Sequence, residues 1–558
     1  MAKDKKKKEK KKKKGKSKGK TDSSGSFIGS GKVKAKKVPS EVSIGNPIDR
    51  SNDQLFLGSD YREVFIPERS WGEILWDTEH WTPLPFTHGI EMELIIADDQ
   101  GNYPPGDEMV FRMREIVKDA IKMMDQILYE GRDDFYPVPD YIRSKVLARP
   151  WGREDLEKGF AMQIRYSLGN NASVDIDTFA RDGNVTAVTY ILELVTPPCE
   201  YAEELAFWAS TLFLLAKTTL PTDLHIIASA INPAAQEYMR GLSQSDHNHL
   251  GSFSSDLEKV QAYDMVRNFI PHIIALTCNS PIINNKPTDV VKIVNNRITA
   301  PNCTRSLRLK YNTTMLSNND PKHYIPYLTD VSEQAINYFL QTVQKASLED
   351  GRFQDLFPLT DWNTIECRIS DAQISICRRI GVALIIQTLC YKARKLLQKR
   401  IWVPDVGSET ICLNRQGAIE RGLISIFRIT PNLTRENLTQ YDPEFAEQYL
   451  GPKNQPVRYM MQAVQRMFFY LKDELKELGF LYSPFLKPLL QSVFGSVSYA
   501  EPPITEAEYQ LSLYNYKLRN GENPSILYDL IYFTIQYCQD PLNNPLTGVL
   551  TLPKEMRV

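Results

Sequence analysis

The sequence lacks the cysteine spacings that define a zinc site or a disulfide framework. Its 558 residues include eight cysteines, scattered from Cys199 to Cys538, and no two of them form a Cys-x-x-Cys pair. Closely spaced pairs are typical of zinc sites, and regular sets in short secreted chains are typical of disulfide scaffolds. We therefore expect reduced thiols, as in a cytoplasmic protein.

Long apolar runs are also missing. The longest stretch, around Phe207 to Leu220, is shorter than the roughly 20 residues that cross a bilayer. The N-terminus is charged from its third residue and has no apolar stretch behind it, so the sequence predicts no signal peptide. Apolar residues still make up 42% of the chain, which is enough for a large packed core. These features predict a cytoplasmic globular protein.

The net charge of −1 is small only because two opposite excesses cancel. Residues 1–37 hold 17 lysines against Asp4, Glu9 and Asp22, a net charge of +14 that leaves −15 for the remainder. Residues 1–45 have almost nothing to pack, so we predict a disordered Lys-rich tail. Such a tail can make weak, salt-sensitive, non-specific contacts with nucleic acid or anionic lipid, or act as a solubilising arm.

The first clear strand carries two acids on one face. Because alternate side chains of a strand share a face, Glu91 and Glu93 point one way, and Ile90 and Met92 point the other. Two carboxylates on one side of an apolar strand need a compensating partner unless that side faces water. A hard cation such as Mg²⁺, which prefers oxygen ligands, is one such partner.

Two later strands carry further acids. Glu193 lies within a continuous apolar run, which predicts burial on both faces and a partner for the carboxylate. A third strand places Thr364, Glu366 and Arg368 on one face. A carboxylate for a metal beside an arginine for phosphate suits phosphoryl transfer, and a cross-strand ion pair on a solvated sheet is the alternative.

A His-x-His pair lies between the second and third of these strands. In an extended segment His247 and His249 face the same side, where imidazole can bind a metal or donate to phosphate. Taken alone, the pair fits an exposed polar turn better than a metal or phosphate site. Three acid-bearing strands together with this pair predict a sheet lined with carboxylates that forms a multi-metal nucleotide site.

These motifs resemble those of the second family of glutamate–cysteine ligases, also called carboxylate–amine ligases, in the glutamine synthetase-like superfamily. The order of the motifs matches over about residues 85 to 430. The matching residues are Gly89, Glu91 and Glu93; Glu193, Thr196 and Pro197; His247, His249 and Gly251; Ala275, Leu276, Asn279, Ser280 and Pro281; Thr364, Glu366, Arg368 and Asp371; and Asn414, Arg415, Ala418 and Gly422.

The resemblance implies an α+β fold built on a curved antiparallel sheet lined with acidic residues and flanked by helices. It implies a ligase domain over residues 46–430, followed by a mostly helical C-terminal extension over 431–558. The implied metal ligands are Glu91, Glu93, Glu193, His247 and Glu366. The implied catalytic residues are Arg368, Glu366 and His249, and the implied nucleotide-binding residues are Arg305, Arg308, His249 and Arg368.

The resemblance also implies a reaction. ATP, with Mg²⁺ or alternatively Mn²⁺, would phosphorylate a glutamate-like carboxylate, and the acyl phosphate would then be attacked by cysteine or another amine. The family often shows a glycine before its His-x-His, where Ser245 and Asp246 stand here, and 292–361 departs from the family pattern. These departures leave the carboxylate and amine open, and family members often form homo-oligomers.

Two other functions remain open from the sequence. A small-molecule kinase of the guanidino type would stop at phosphoryl transfer and release ADP without an amine. A non-catalytic binding module would act through the basic tail, although it has no need for the acids and both histidines.

Overall fold

The computed structural model describes most of the chain from residue 77 onward, and the chain divides into two compact units, Met1–Ser43 and Ile44–Val558. All described residues belong to the second unit, so the predicted Lys-rich tail lies outside them. The described residues are 74, 77–102, 122, 126, 138–148, 164–168, 190–236, 244–288, 292–294, 297–299, 303–311, 324–343, 354–358, 363–494 and 505–538.

An eight-stranded antiparallel sheet forms the centre of the second unit. Its strands are β1 (Pro83–Ala97), β2 (Ile164–Leu168), β3 (Tyr190–Val195), β4 (Cys199–Tyr201), β5 (His225–Ile227), β6 (Ser245–Gly251), β11 (Leu356–Phe357) and β12 (Ile365–Asp371). The main path runs β11-β12-β6-β1-β3-β2, and β4 and β5 also pair with β1. Strand β1 is therefore the hub, because it pairs with four other strands.

Two short hairpins lie apart from this sheet. The first joins β7 (Ile282–Ile283) to β8 (Lys286–Pro287), and the second joins β9 (Lys292–Val294) to β10 (Arg297–Thr299). All of these pairings are antiparallel.

The described helices complete an α+β fold, as the sequence predicts. Before β12 they are α1 (Asp140–Ala148), α2 (Ala202–Thr219), α3 (Asp256–Thr277), α4 (Leu307–Tyr311) and α5 (Glu333–Val343). After it come α6 (Ile376–Gln398), α7 (Ser408–Arg421), α8 (Arg435–Thr439), α9 (Pro443–Leu450), α10 (Met460–Glu477), α11 (Lys487–Phe494), α12 (Glu506–Arg519) and α13 (Leu527–Cys538). Among the described residues, no helix combines the length and the apolar character needed to cross a membrane.

Strand β1 separates the main core from the acid-bearing face. Ile90, Met92 and Leu94 are each at most 1% exposed and belong to the main apolar core, which includes residues of α3 and α6. Glu91 and Glu93 alternate with them and are only partly buried. The predicted alternation along this strand is confirmed.

The acid-bearing side of β1 does not remain polar along its whole length. Two residues beyond Glu93, the side chains of Ile95 and Ala97 enter a second apolar cluster. Two other members, Ile227 and Ile374, come from β5 and from the segment before α6, and the rest come from the region after α3 and from the last described helices and the residue before α13: Ile282, Cys303, Leu511, Leu513, Ile526, Leu527, Leu530 and Ile531. Helices α12 and α13 therefore cover the sheet directly beyond the acids.

His272 of α3 is a buried histidine that packs in an aromatic cluster of the core. It packs edge-on against Phe269 and Phe427, and its Nδ1 has no hydrogen-bond partner among the described residues. Burial lowers the pKa of His272 to about 3, so the folded protein holds it neutral.

We expect the contribution of His272 to the free energy of unfolding to fall as the pH drops below about 6.5, where the unfolded chain protonates this imidazole and the folded protein does not. Between pH 6.5 and 5, His272 accounts for about 2 kcal/mol of that loss. Urea denaturation across this range should show a loss about 2 kcal/mol smaller for His272→Phe than for the wild type. The exposed His80→Gln variant serves as a control, and an unchanged pH dependence in His272→Phe would contradict this account.

Candidate functional site

Strand register brings the predicted acids and histidines onto one face of the sheet. Glu91 of β1 lies opposite His247 of β6, and Gly89 lies opposite His249. His249 in turn lies opposite Glu366 of β12. Directly opposed residues in antiparallel strands project to the same side, so three adjacent strands contribute to one cluster. Gly89 has no side chain, which leaves room beside His249.

His247 is buried between the two carboxylates of β1. Its Nδ1 lies 3.1 Å from Glu91 Oε2, and its Nε2 lies 3.7 Å from Glu93 Oε2. Ser245 completes this arrangement, because its hydroxyl lies 2.5 Å from His247 Nε2 and donates to Glu93 Oε2 at 2.6 Å. The serine and the histidine together fix the orientation of both acids.

His249 and Glu366 complete the cluster on the other side of Glu91. His249 Nε2 lies 3.2 Å from Glu91 Oε1 and 4.0 Å from Glu366 Oε1. His249 Nδ1 lies 3.3 Å from the hydroxyl of Thr364. One ligand atom each from Glu91, His249 and Glu366 lie within 4.8 Å of one another, close enough to share one metal ion.

The donor set of this cluster fits a hard divalent cation. Glu91, Glu93 and Glu366 supply carboxylate oxygens, the ligands that Mg²⁺ prefers, and His247 or His249 supplies an imidazole nitrogen. Partial burial of the acids limits competition from bulk water, while 22% exposure of the Glu91 side chain leaves the cluster accessible. Glu193 lies opposite Glu93 in the β1–β3 register, but its side chain is outside the described set.

Electrostatics keep the cluster charged. Burial alone would raise the pKa of Glu91, but His249 and His247 outweigh it and hold that pKa well below its usual range. Burial would likewise lower the pKa of His249, but Glu91 and Glu366 reverse the direction and raise it. The two opposite shifts favour a charged pair between the Glu91 carboxylate and the His249 imidazole.

Arg368 extends the cluster along β12. Its Nη1 contacts Glu366 Oε1, whereas its Nε has no hydrogen-bond partner among the described residues. The side chain is 17% exposed, so part of the guanidinium can meet a ligand. The predicted pairing of an acid with an arginine on one face of this strand is present.

Arg308 lies behind Arg368 and is buried. Its Nη2 donates to the carbonyl oxygen of Arg368 at 2.6 Å, and its Nη1 lies 3.5 Å from Asp371 Oδ1. Burial lowers the pKa of Arg308, and the charges of Asp371 and Glu93 oppose that change. Its Nε and Nη1 have no hydrogen-bond partner within the described part of the chain.

Arg305 is oriented differently from Arg308. Its Nε lies 3.0 Å from Glu508 on α12, and its Nη1 donates to the carbonyl oxygen of Cys303 at 2.6 Å. The structure therefore brings Arg308 to the acid cluster and joins Arg305 to the C-terminal helices.

Several supporting contacts were not predicted from the sequence. Asp371 ends β12 and accepts hydrogen bonds from the Asn279 backbone and from Ser280 and Ser306, at 2.8 to 2.9 Å. These bonds tie the Asn-Ser-Pro turn to the strand that carries Glu366. Motif order places Asp371 and this turn in one family pattern, but only the fold shows that they are in contact.

Asp246 holds β6, the strand of the His-x-His pair, from the face opposite to that of His247. Its Oδ2 lies 3.1 Å from Arg379 Nε on α6 and accepts a hydrogen bond from the Gln373 backbone at 2.8 Å. Burial raises the pKa of Asp246 to about 6, although Arg379 opposes the shift. No sequence signal identifies this contact, because Asp246 and Arg379 are 133 positions apart.

No protein-family model matches the sequence, and a comparison with curated proteins returns no match. Among solved structures, the chain is similar to a glutamate–cysteine ligase from Francisella tularensis in complex with AMP. That alignment has 12% identity and a TM-score of 0.44, and it covers 84% of this chain and 91% of the other.

Two further alignments are to larger or differently specialised ligases. A bifunctional glutathione synthetase from Pasteurella multocida shows 13% identity and a TM-score of 0.39 over 81% of this chain, which spans about half (51%) of that protein. The ligase PafA, in complex with the prokaryotic ubiquitin-like protein Pup, shows 10% identity and a TM-score of 0.35. That alignment covers 84% of this chain and 78% of the other.

Proposed function

We propose that the protein is an ATP- and Mg²⁺-dependent ligase that joins a glutamate-like carboxylate to an amine. The observation that supports this most directly is the convergence of Glu91, His249 and Glu366 within 4.8 Å, with Arg368 in contact with Glu366. A clustered set of metal-ligating acids beside an arginine is the arrangement that phosphoryl transfer needs.

Each residue has a distinct role in this proposal. Glu91, Glu93 and Glu366 hold the cation, and His247 orients the first two acids. Glu193, which lies opposite Glu93 in the register of β1 and β3, is proposed as a further ligand. A bound Mg²⁺ supplies Lewis-acid stabilisation of phosphate oxygens.

Arg368 and His249 act on the reacting groups. Arg368 donates to the phosphoryl group in transfer, and His249 lies on the same side, where a protonated imidazole can donate to phosphate. Arg308 adds a second guanidinium behind the first, next to Asp371.

The proposed reaction has two steps, phosphorylation of the carboxylate and attack of the amine on the acyl phosphate. A carboxylate oxygen of the substrate attacks the γ-phosphorus of ATP, the bond to the β-phosphate oxygen breaks, and ADP leaves. The amine nitrogen then attacks the acyl carbon, phosphate leaves, and the nitrogen loses a proton to give the amide. The partly buried acids and arginine limit the water that could hydrolyse the acyl phosphate.

Mg²⁺-dependent ADP release from ATP tests this proposal. We expect ADP to appear when glutamate is present together with an amine from a panel that includes cysteine, and not when either is left out. Removal of Mg²⁺ with a chelator should abolish the release, and readdition of Mg²⁺ or Mn²⁺ should restore it. ADP that forms without any amine would indicate a small-molecule kinase instead, and no ADP with any pair would contradict the proposed ligase.

A further inference from the structure

A second buried carboxylate stands beside Arg368, on the strand at the edge of the sheet. Strand β11 pairs Leu356 with Cys367, and one position earlier the Arg368 N–H donates to the Asp355 carbonyl oxygen at 2.9 Å. This register places Asp355 opposite Arg368, so both side chains project to the face that carries Glu366. Asp355 is 0% exposed.

Residues from outside the sheet hold the Asp355 carboxylate. Arg415 of α7 contacts Asp355 Oδ2 through Nε and donates to Oδ1 through Nη2 at 2.8 Å. The hydroxyl of Tyr324 also donates to Asp355 Oδ2, and its ring centroid lies 5.8 Å from the Arg415 guanidinium. Both oxygens of Asp355 are therefore occupied, one of them twice.

The two arginines of the site are left with unused donors. Nε of Arg368, and Nε and Nη1 of Arg308, are buried and have no hydrogen-bond partner among the described residues. Buried donors of this kind are costly and normally find an acceptor. Asp355 is one carboxylate that could serve, since its backbone lies opposite Arg368 and its charge acts on Arg308 together with those of Asp371 and Glu93.

We propose that Arg415 is a positioning residue that sequesters Asp355 and so keeps Arg308 and Arg368 available for an anionic oxygen of a substrate. Tyr324 assists by occupying the same carboxylate. The ligand chemistry is a set of phosphate or carboxylate oxygens, supplied either by ATP or by the acid to be activated. The identity of these ligands rests on the proposed function, whereas the competition between Asp355 and the ligand does not.

The competition between Asp355 and the ligand for these arginines should lower the ligand affinity by a measurable factor when Arg415 is removed. Without Arg415, the buried Asp355 carboxylate would lose the guanidinium that contacts both of its oxygens, and pairing with Arg368 or Arg308 would compensate its charge. A guanidinium captured in this way would cost the ligand one or two charge-assisted hydrogen bonds, which corresponds to about 10- to 100-fold weaker binding.

The test compares Arg415→Gln, Asp355→Asn and the double variant with the wild type, and it uses Arg428→Gln at an exposed arginine as the matched control. Calorimetry measures binding of Mg–ATP, and in a separate titration binding of glutamate, so that the two sources of anionic oxygen are distinguished. We expect Arg415→Gln to weaken binding of at least one of them by about 10- to 100-fold. Asp355→Asn and the double variant should bind within about threefold of the wild type, because the competing carboxylate is gone.

Restored ligand binding in the double variant would distinguish the proposed positioning role of Arg415 from a purely structural role. Thermal unfolding should show the double variant to be no more stable than the wild type, so restored binding cannot be ascribed to a more stable fold. Equal binding by Arg415→Gln and the wild type, or a double variant as weak as Arg415→Gln, would overturn the proposal. If Arg415→Gln cannot be purified, weak binding by Asp355→Asn and the double variant would overturn it as well.

Failure of the proposed function would give a different pattern. A wild type that binds Mg–ATP, loses binding in Arg415→Gln and regains it in the double variant, yet forms no ADP, would refute the ligase and leave the role of Arg415 intact. A wild type that binds neither Mg–ATP nor glutamate would refute the role of Arg415.

Discussion

Replacing Glu366 with glutamine is expected to lower ATP turnover by about a thousandfold. Glu366 lies within reach of His249, contacts Arg368, and contributes one of the three clustered ligand atoms. Glutamine retains the size of the side chain but removes the negative charge. The variant therefore loses affinity for the cation and the compensation of Arg368 together, while its packing is preserved.

ADP release under saturating ATP and Mg²⁺ measures this loss, and circular dichroism with thermal unfolding shows whether the fold is retained. Glu436→Gln is the matched control, because Glu436 is exposed on helix α8. We expect that control to keep wild-type turnover. Wild-type ADP production by a folded Glu366→Gln variant would rule out the proposed role of this residue.

Replacing Glu506 with alanine is expected to lower the free energy of unfolding by about 3–5 kcal/mol. Glu506 is buried at the start of α12, where its Oε1 lies 3.1 Å from Arg378 Nε. Its two carboxylate oxygens also accept from the Ile374 N–H, at 3.0 and 3.1 Å. Alanine would remove the carboxylate that pairs with the buried Arg378 guanidinium and that accepts from the Ile374 N–H.

Glu508 on the same helix provides the comparison. Its side chain is 16% exposed and pairs with Arg305, so water can partly replace the lost carboxylate in Glu508→Ala. We expect a cost of about 1–2 kcal/mol for that variant. Chemical denaturation of both variants measures the difference, and equal losses would show that burial at Glu506 does not set the cost.

The acid-bearing face could be predicted because it depends on the spacing of residues that are close together in the sequence. Alternation along β1 places Glu91 and Glu93 on one side, and the spacing of His247 and His249 does the same for β6. Each prediction needs only the two-residue period of a strand. The pairing of β12 with β6 adds Glu366 to this face, and that pairing is not contained in the period of any one strand.

The supporting contacts could not be predicted because they join residues far apart in the chain. Arg305 and Arg308 are three positions apart and equally basic, yet one pairs with Glu508 and the other reaches Asp371. The difference depends on which helix packs over each guanidinium. The link between Asp355 and Arg415 likewise arises from the placement of α7 against β11, which no periodicity encodes.

Because α12 and α13 pack over Ile95, the packing of strand β1 is completed late in synthesis of the chain. Ile95 packs in one apolar cluster with Leu511 and Ile531, more than 400 residues later in the chain. At about 5–20 residues per second, a ribosome takes roughly 20–90 s to make the intervening polypeptide. During that time neither helix is available to pack on the hub strand, so this part of the apolar cluster is completed only after residue 531 has been made.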